Sequence, residues 1–338
     1  MEKRIRDPER AVSPPDFVEA CNSVMAIGSF RTRGERTVLK GGSFGVRRFP
    51  ALNAPSKRRQ KGGIKMSVIT LSRQLGSQGV EIAKAIASRF NYQYVDKEKI
   101  GIALADRGLP RMEIEKLDEK KPSFWDSWAI DRNKFFHHLQ MIIYGFAQKN
   151  NAVIVGRGGQ ILLKDLPGVL HVRVIAPFEV RIRRVMEQQR GKEKQAIRLL
   201  RHSDEDSAGF IRSFFNADWE DPRLYDLVIN TQKLSVDSAV MMILEAIQAP
   251  EIKEGEKKTE RKLADLILFQ RVESTLMALL GVGLAYIYIN VEEGVVILDG
   301  TVNSGTDLAN CERAVASIEG VERVNNHLSV SRLNTSVA

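Results

Sequence analysis

From residue 66 onward the chain alternates short apolar runs with longer stretches whose apolar residues recur every three to four positions. Val68, Ile69, Thr70 and Leu71 make the β-branched run expected of a buried strand. A glycine-containing turn follows at Gly76 to Gly79. Beyond it Val80, Ala83, Ile86, Ala87 and Phe90 fall on one face of a helix. Tyr92 to Val95 predicts a second strand, with Asp96 and a helix to about Leu104 behind it. Residues 106–128 are charged and irregular and contain Pro110 and Pro122. Phe135 to Gln148 reads as a helix, Ala152 to Val155 as a third strand and Val169 to Ala176 as a fourth. Pro177 opens an Arg-rich helix to Gln189, and a charged segment from Arg190 to Asp206 precedes another helix. Leu227 to Ile229 and Ser235 to Ile247 supply the last short strand and the closing helix. This order predicts an α/β domain over residues 66–248, a parallel sheet with helices on both faces in the doubly wound manner of nucleotide-binding domains.

The pattern then changes. Residues 249–262 are polar and charged with one glycine and read as a linker. From Leu263 to about Leu280 the spacing is helical, Tyr286 to Val291 alternates, and Glu293-Gly294 can turn into Val295 to Val302. Asp307 to Ile318 is helical again and Val321 to Val330 is a final strand. Residues 263–332 therefore form a second, small α+β domain. Ser274 to Val291 is eighteen residues without charge, near the lower limit for a spanning helix. Gly281, Gly283, Asn290 and the alternating Tyr286 and Tyr288 argue instead for helix, turn and strand, and no transmembrane segment is expected.

Charge alters the picture only when divided. Residues 1–65 carry 15 Lys and Arg against 6 Asp and Glu, a net of +9, which equals the net charge of the whole 338-residue chain. Residues 66–338 are neutral, so the folded part carries no footprint for specific nucleic-acid binding. The first 65 residues have no sustained apolar periodicity and read as a disordered basic tail. Two readings of that tail stand: a basic arm for nucleic acid or acidic lipid, or a start site that truly lies at Met66. It has no apolar core of a secretory signal. Two distant cysteines, Cys21 and Cys311, suggest neither a disulfide framework nor a metal site and fit a reducing, cytoplasmic setting.

The chemistry concentrates where the first strand meets the first helix. A helix N-terminus offers unpaired N–H groups and positive dipole to an anion, and glycine lets the backbone approach it. The full phosphate-loop pattern G-x-x-x-x-G-K-[ST] is absent. An ordinary strand-to-helix crossover is the alternative reading of this stretch taken by itself.

Five ordered blocks carry a resemblance: ITLSRQLGSQGVEIAKAIA, YVDKEKI (Tyr94 to Ile100), AVIVGRGGQIL (Ala152 to Leu162), RVIAPFEVRIRRVMEQ (Arg173 to Gln188) and ADWEDPRLYDLVINTQKL (Ala217 to Leu234). Together they resemble the cytidylate kinase-like family, a branch of the P-loop nucleoside monophosphate kinases, over about Met66 to Ile247. The resemblance implies a P-loop NTPase-like fold and phosphoryl transfer from ATP, with Mg2+, to CMP or dCMP. It implies donor binding at Arg73, Gly76, Ser77, Gln78, Gly79, Val80 and Glu81. It implies acceptor binding at Asp96, Lys97, Arg157, Arg181 and Asp204, and catalytic roles for Arg157, Arg184 and Arg201. Arg157, enclosed by glycines directly after a strand, suits a bidentate clamp on the acceptor phosphate. For Arg183 and Arg190 a solvated helix face is the better reading. GVVILDGTV (Gly294 to Val302) and GVERVNNHLSV (Gly320 to Val330) resemble the BON domain, which implies an interaction module for another protein, for itself or for a phospholipid surface.

The departures from the kinase pattern shape the expectation. The lysine position aligns with Gly79, as is general in this branch, and the hydroxyl that would hold magnesium is set at Glu81. Gln78 and Val80 stand where the branch usually has glycine and arginine. The lid pattern D-x-x-R reads Asp204-Glu205-Asp206-Ser207, and Val155 stands where standard cytidylate kinases are acidic. Removing one preorganised cation typically costs about 10²–10³ in rate. Arg73, Arg198 or Arg201 are the candidates to compensate. Adjacent His137 and His138 do not face one site on a helix and suit core or surface roles, not a metal. Trp125, Trp128 and Trp219 read as packing residues. Three functions compete: a kinase with an interaction module, a degenerate nucleotide sensor, and a BON-driven scaffold.

Overall fold

The structure is a computed structural model that describes residues 68–109 and 129–331. The expectations for the basic tail, for Pro110 and Pro122, and for Trp125 and Trp128 fall outside the described residues.

Five parallel strands form the first sheet: β1 (Val68–Arg73), β2 (Gln93–Val95), β3 (Ala152–Val155), β4 (Val169–Ile175) and β5 (Leu227–Asn230), in the order β2-β3-β1-β4-β5. β1 is central because it is buried on both faces, with Ile69 and Leu71 on one and Val68 and Thr70 on the other. Helices α1 (Gly79–Phe90) and α7 (Val236–Ile247) cover the first face. Their Ile82, Ala83 and Ile86, and Ala239, Val240 and Ile243, are fully buried. The opposite face is covered by α2 (Lys97–Ala105), α3 (Ala129–Gln148) and the one-turn α4 (Gly159–Leu162). Helices α5 (Phe178–Gln189) and α6 (Glu193–Phe215) lie between β4 and β5 in the chain. Ser235 caps α7 by accepting from Ser238 N at 3.1 Å, and Asp96 caps α2 by accepting from Lys99 N at 3.0 Å.

Two stretches differ from the sequence reading. The charged segment from Arg190 to Asp206 is helical from Glu193 and runs unbroken into the helix expected after it, giving the 23-residue α6. Ala196 and Leu200 supply a narrow apolar stripe packed on Val185 of α5, too sparse to stand out among the charges. Residues 250–262, read as a linker, are the first part of α8 (Pro250–Leu280), a 31-residue helix. Gly255, Thr259 and Leu263 are one turn apart and buried. They dock on the turn before β4, where Thr259 Oγ1 accepts from Gly168 N at 2.7 Å.

The second sheet has β6 (Ile287–Glu292), β7 (Val295–Val302) and β8 (Arg323–Val330), β7 antiparallel to β6 and parallel to β8. The distal half of α8 and α9 (Gly305–Ala316) cover one face, closing a core of Leu268, Val272, Leu276, Ile289, Leu298 and Val315. Glu293 and Gly294 both have positive φ and make the predicted turn, and Asp265 of α8 accepts from both of their N–H groups. The uncharged stretch from Ser274 to Val291 divides into helix, 3₁₀ turn and strand. Among the described residues no helix is long and apolar enough to cross a membrane.

Gly255 gives this docking a test of sign. In an open helix Gly→Ala stabilises by about 1 kcal/mol. Here a Cβ would lie 2.5 Å from the Pro167 carbonyl carbon. Gly255→Ala is expected to destabilise by about 1–3 kcal/mol, read as a lower urea midpoint; a raised midpoint sinks the docking.

Candidate active site

The turn between β1 and α1 is held from behind by its carbonyls. Ser77 Oγ donates to Gln74 O at 2.7 Å, and Thr231 Oγ1 donates to Ser77 O at 2.8 Å. Arg184 donates to Gly76 O at 3.3 Å, to Thr231 Oγ1 at 3.0 Å and to Thr231 O at 2.7 Å. Arg181 reaches Leu75 O at 3.5 Å and grips both carboxylate oxygens of Asp204 at 3.0 and 2.8 Å. Each contact to the loop uses a carbonyl as acceptor, so the loop's oxygens are held by the protein. The turn itself needs Gly76 at φ 76, where a Cβ would meet the Arg181 backbone at 3.0 Å, and Gln78 is left-handed at φ 64 as the helix cap.

Arg73 supplies the forward side. It ends β1, and its Cβ lies 2.5 Å from where a Cβ on Gly79 would be. A side chain at residue 79, the lysine position of the phosphate-loop pattern, is excluded because the Arg73 stem fills that space. The guanidinium ends beside Gly156, with one terminal nitrogen 3.6 Å from that residue's Cβ position. Burial pulls the Arg73 pKa below its ordinary value, Arg157 adds to the fall, and Tyr94 and Asp96 oppose it. Arg73 Nε is buried with no hydrogen-bond partner. Arg157 follows β3 inside Gly156-Arg157-Gly158, three successive residues at positive φ (74, 55 and 71°). A left-handed arginine is a strained choice, and residue 158 is confined to glycine because Phe215 fills the space a side chain there would take. Burial pulls Arg157 down to about 10, and its guanidinium lies over the Phe210 ring at 5.5 Å. At about 10, Arg157 remains charged at neutral pH.

Beside Arg157 a small cavity, with room for about one water molecule, lies between α2 and α3. Lys97 and Arg157 are its polar members, and Ile100, Leu104, Phe135 and Leu139 form the walls. Asp96, at the head of α2, is half-buried, and burial followed by the Asp96 charge raises the Tyr94 pKa.

The amino acids anticipated for the site therefore sort into three places. Arg73, Gly76, Ser77, Gln78, Gly79, Asp96, Lys97 and Arg157 converge at the carboxyl ends of β1, β2 and β3. Arg181, Arg184 and Asp204 brace the loop or one another from α5 and α6. Arg198 and Arg201 are exposed on α6, Arg183 on α5, and Arg190 directly after α5. Glu81 is exposed and accepts from Gln188 at 3.2 Å. With the lysine position at Gly79, the hydroxyl position of the motif falls on Val80 and not on Glu81; neither residue has a hydroxyl. Ser77 commits its own hydroxyl to Gln74 O. Among the described residues no group of three His, Cys, Asp or Glu could hold a metal. The described residues do not build a protein site for magnesium.

Sequence reasoning missed Thr231 and Gln74. Thr231 directly follows β5 on the site side, a position that marked it, and it is buried with both oxygens bonded to the loop apparatus. Gln74 Oε1 accepts from Ala176 N at 3.3 Å and ties the loop to the end of β4. A second buried arginine, Arg173, is enclosed by Trp219 and Tyr225, with its guanidinium 4.3 Å from the Trp219 ring and donating to Trp219 O. Trp219 Nε1 donates to Ser72 Oγ at 2.9 Å, the packing role expected of that tryptophan.

Residues 68–233 match the cytidylate kinase-like family and residues 265–332 match the BON domain. The first segment belongs to the cytidylate kinase-like family and the second is a BON domain. The kinase-like domain is similar to the cytidylate kinase of Pyrobaculum islandicum, 27% identical over 186 residues, covering 54% of this chain and 93% of that one. It is similar to the cytidylate kinase of Methanocaldococcus jannaschii, 26% identical over 183 residues, covering 53% and 97%. A solved structure from Eubacterium ventriosum ATCC 27560 is 25% identical, covers 54% of this chain and 99% of that one, and has a TM-score of 0.42.

The Arg73–Gly79 contact predicts the outcome of restoring the missing lysine. Gly79→Lys puts its Cβ into the Arg73 stem and should cost about 1–3 kcal/mol of stability, without strengthening ATP binding measured by calorimetry. A stable variant that binds ATP more tightly would show that the two side chains do not compete for one space.

Proposed function

We propose that the kinase-like domain transfers the γ-phosphoryl group of ATP to a pyrimidine nucleoside monophosphate, CMP or dCMP. One observation carries the reading. The space of the absent lysine is filled by Arg73, whose guanidinium lies at Gly156 beside Arg157. Two partly buried cations at the edge of a parallel sheet, in front of a helix N-terminus, are arranged for a polyanion.

In this reading the amides of Gly76 to Gly79 hold the β- and γ-phosphates, and Arg73 stands in for the lysine. The acceptor lies at the carboxyl edge of the sheet, between the head of α2 and the turn at residues 156–158, its phosphate drawn to Arg157 and Lys97. An acceptor phosphate oxygen attacks the γ-phosphorus in line, the bond to the β–γ bridging oxygen breaks, and ADP leaves. Little covalent chemistry is asked of the protein: Arg73 and Arg157 offset charge spread over the transferring oxygens. Arg181 and Arg184 act one step back, by holding the loop's carbonyls away from the phosphates. Magnesium arrives on the donor's own phosphates, and no step is assigned to it. The BON domain serves as an interaction module, for another protein, a second copy or a phospholipid surface, in a protein working in the cytoplasm.

A second reading, a nucleotide sensor with little turnover, is favoured by one feature. The lid cations Arg198 and Arg201 are exposed, and Asp204 is engaged by Arg181. Release of ADP measured with ATP plus CMP or dCMP separates the two. Turnover is expected, and Arg73→Ala should lower kcat by about 10²–10³. ATP without turnover should still stabilise the chain, by about 2.7 kcal/mol at a hundredfold excess over Kd. Stabilisation without ADP release establishes the sensor, and neither effect removes nucleotides from the account.

A further inference from the structure

Helix α6 is shared by the two turns of the candidate site. Ala196, Leu200, Asp204, Ile211 and Phe215 fall within an arc of about 100° around its axis and so form one face. At the first end of that face Ala196 and Leu200 are buried with Val185 of α5, and Leu75, from the turn before α1, packs on them. One turn further, both oxygens of Asp204 take hydrogen bonds from Arg181, at 3.0 and 2.8 Å. The same guanidinium reaches Leu75 O at 3.5 Å, and the Arg181 backbone lies 3.0 Å from where a Cβ on Gly76 would be. The Arg181 side chain is 5% exposed, which leaves the pair little water to exchange with.

The other end of α6 holds the turn after β3. Phe215 fills the space that a side chain at residue 158 would take, and the Phe210 ring lies under the Arg157 guanidinium at 5.5 Å. Ile211 is buried with Ile161 of α4, the helix that leaves this turn. Phe210 and Phe135 stand 4.8 and 5.6 Å from Phe214, which seats this end in the core under the sheet. From Leu200 to Phe215 the helix is unbroken over about 22 Å. A displacement at either end is therefore carried to the other turn.

We infer that α6 is a strut that sets the spacing of the two phosphate-binding turns, and that Asp204 is a positioning residue acting through Arg181. This rests on the nucleotide-kinase reading. It moves Asp204 from the acceptor contact that the family resemblance implies to the support of both turns. In-line transfer needs the attacking oxygen about 3–3.5 Å from the γ-phosphorus. The donor phosphates follow the turn at residues 74–79 and the acceptor phosphate follows Arg157. A drift between the turns lowers turnover rather than the affinity for one nucleotide.

The test measures ADP release from ATP and CMP by the full chain, by Asp204→Asn, by Arg181→Lys and by the double variant. Hydrogen–deuterium exchange of each chain, free of nucleotide, accompanies it. Each single variant should lower kcat about tenfold to a hundredfold, the order of a small misplacement, with KM for CMP changed less than about threefold. The double variant should be no slower than the slower single, since both changes cut one link. Exchange should speed up at residues 74–77 and at residues 156–158 together. A raised KM for CMP with kcat intact shows a direct acceptor contact and overturns the inference. So do losses that multiply in the double variant, or exchange that changes at one turn alone or at neither. If the variants do not fold, the unmodified chain decides. ATP should then slow the amides of residues 204–215 as well as 74–80, and slowing confined to 74–80 overturns the strut. Absence of ADP release from the unmodified chain overturns the kinase reading and the positioning role with it, while the exchange comparison still reports whether α6 ties the turns.

Discussion

The site depends on a guanidinium stem laid across a glycine. Arg73 leaves the end of β1 on the α1 side and runs over Gly79, so the head of α1 carries no side chain there and the cation comes from the strand. Its charge ends beside Gly156, close enough to Arg157 for the two to repel, and both are desolvated. Burying like charges together is unfavourable unless something answers them. Tyr94 and Asp96 offset part of that cost at Arg73, and in the proposed reading a bound polyphosphate would answer both arginines at once. The rest of the loop serves the same end. With Gln74, Leu75, Gly76 and Ser77 carbonyls engaged by Ser77, Arg181, Arg184 and Thr231, the surface of the loop presented to a ligand is richer in amide hydrogens than in oxygens.

This division explains how a loop short of its usual lysine and hydroxyl still keeps its shape. In the lysine form of the motif one side chain both binds phosphate and sits on the helix. Here the two tasks are separated. Arg73 reaches across Gly79 to Gly156, while Arg184 and Thr231 fix the turn. The Arg181–Asp204 pair joins α5, α6 and the loop through a bidentate contact whose arginine is almost fully enclosed. Such a buried pair contributes more to fixing one geometry than to net stability. The arginines left exposed on α5 and α6 have no comparable constraint.

How much of the molecule was legible in the sequence depended on how local each signal was. The strands of the parallel sheet announced themselves because a strand buried on both faces is a continuous apolar run. Gly76 and the Gly156-Arg157-Gly158 turn were readable because positive φ selects glycine, and an arginine set between two glycines after a strand is placed at the sheet edge where anions bind. Thr231 was not readable as a brace, since its importance comes from Ser77 O and Arg184, 154 and 47 residues distant in the chain. The helical course of residues 250–262 was hidden for a different reason. Its docking face is made of Gly255 and Thr259, small residues that let backbones approach closely. A hydrophobicity pattern registers burial of large apolar groups and is blind to a seam built from a missing Cβ and a hydroxyl.

That seam decides what kind of fusion this is. A flexible linker would let the two family segments behave as separate bodies, with any influence of one on the other set only by effective concentration. α8 instead contributes Leu263 to the core beneath the kinase sheet, and Leu268, Val272 and Leu276 to the BON core, all from one unbroken helix. Neither core is complete without its share of that helix, and the stripe moves from one core to the other without a break. Separating the domains between residues 263 and 268 would expose apolar surface on both. The BON domain is thus held against α3 by covalent continuity as well as by contact, through His137 against Glu273 and Ser274.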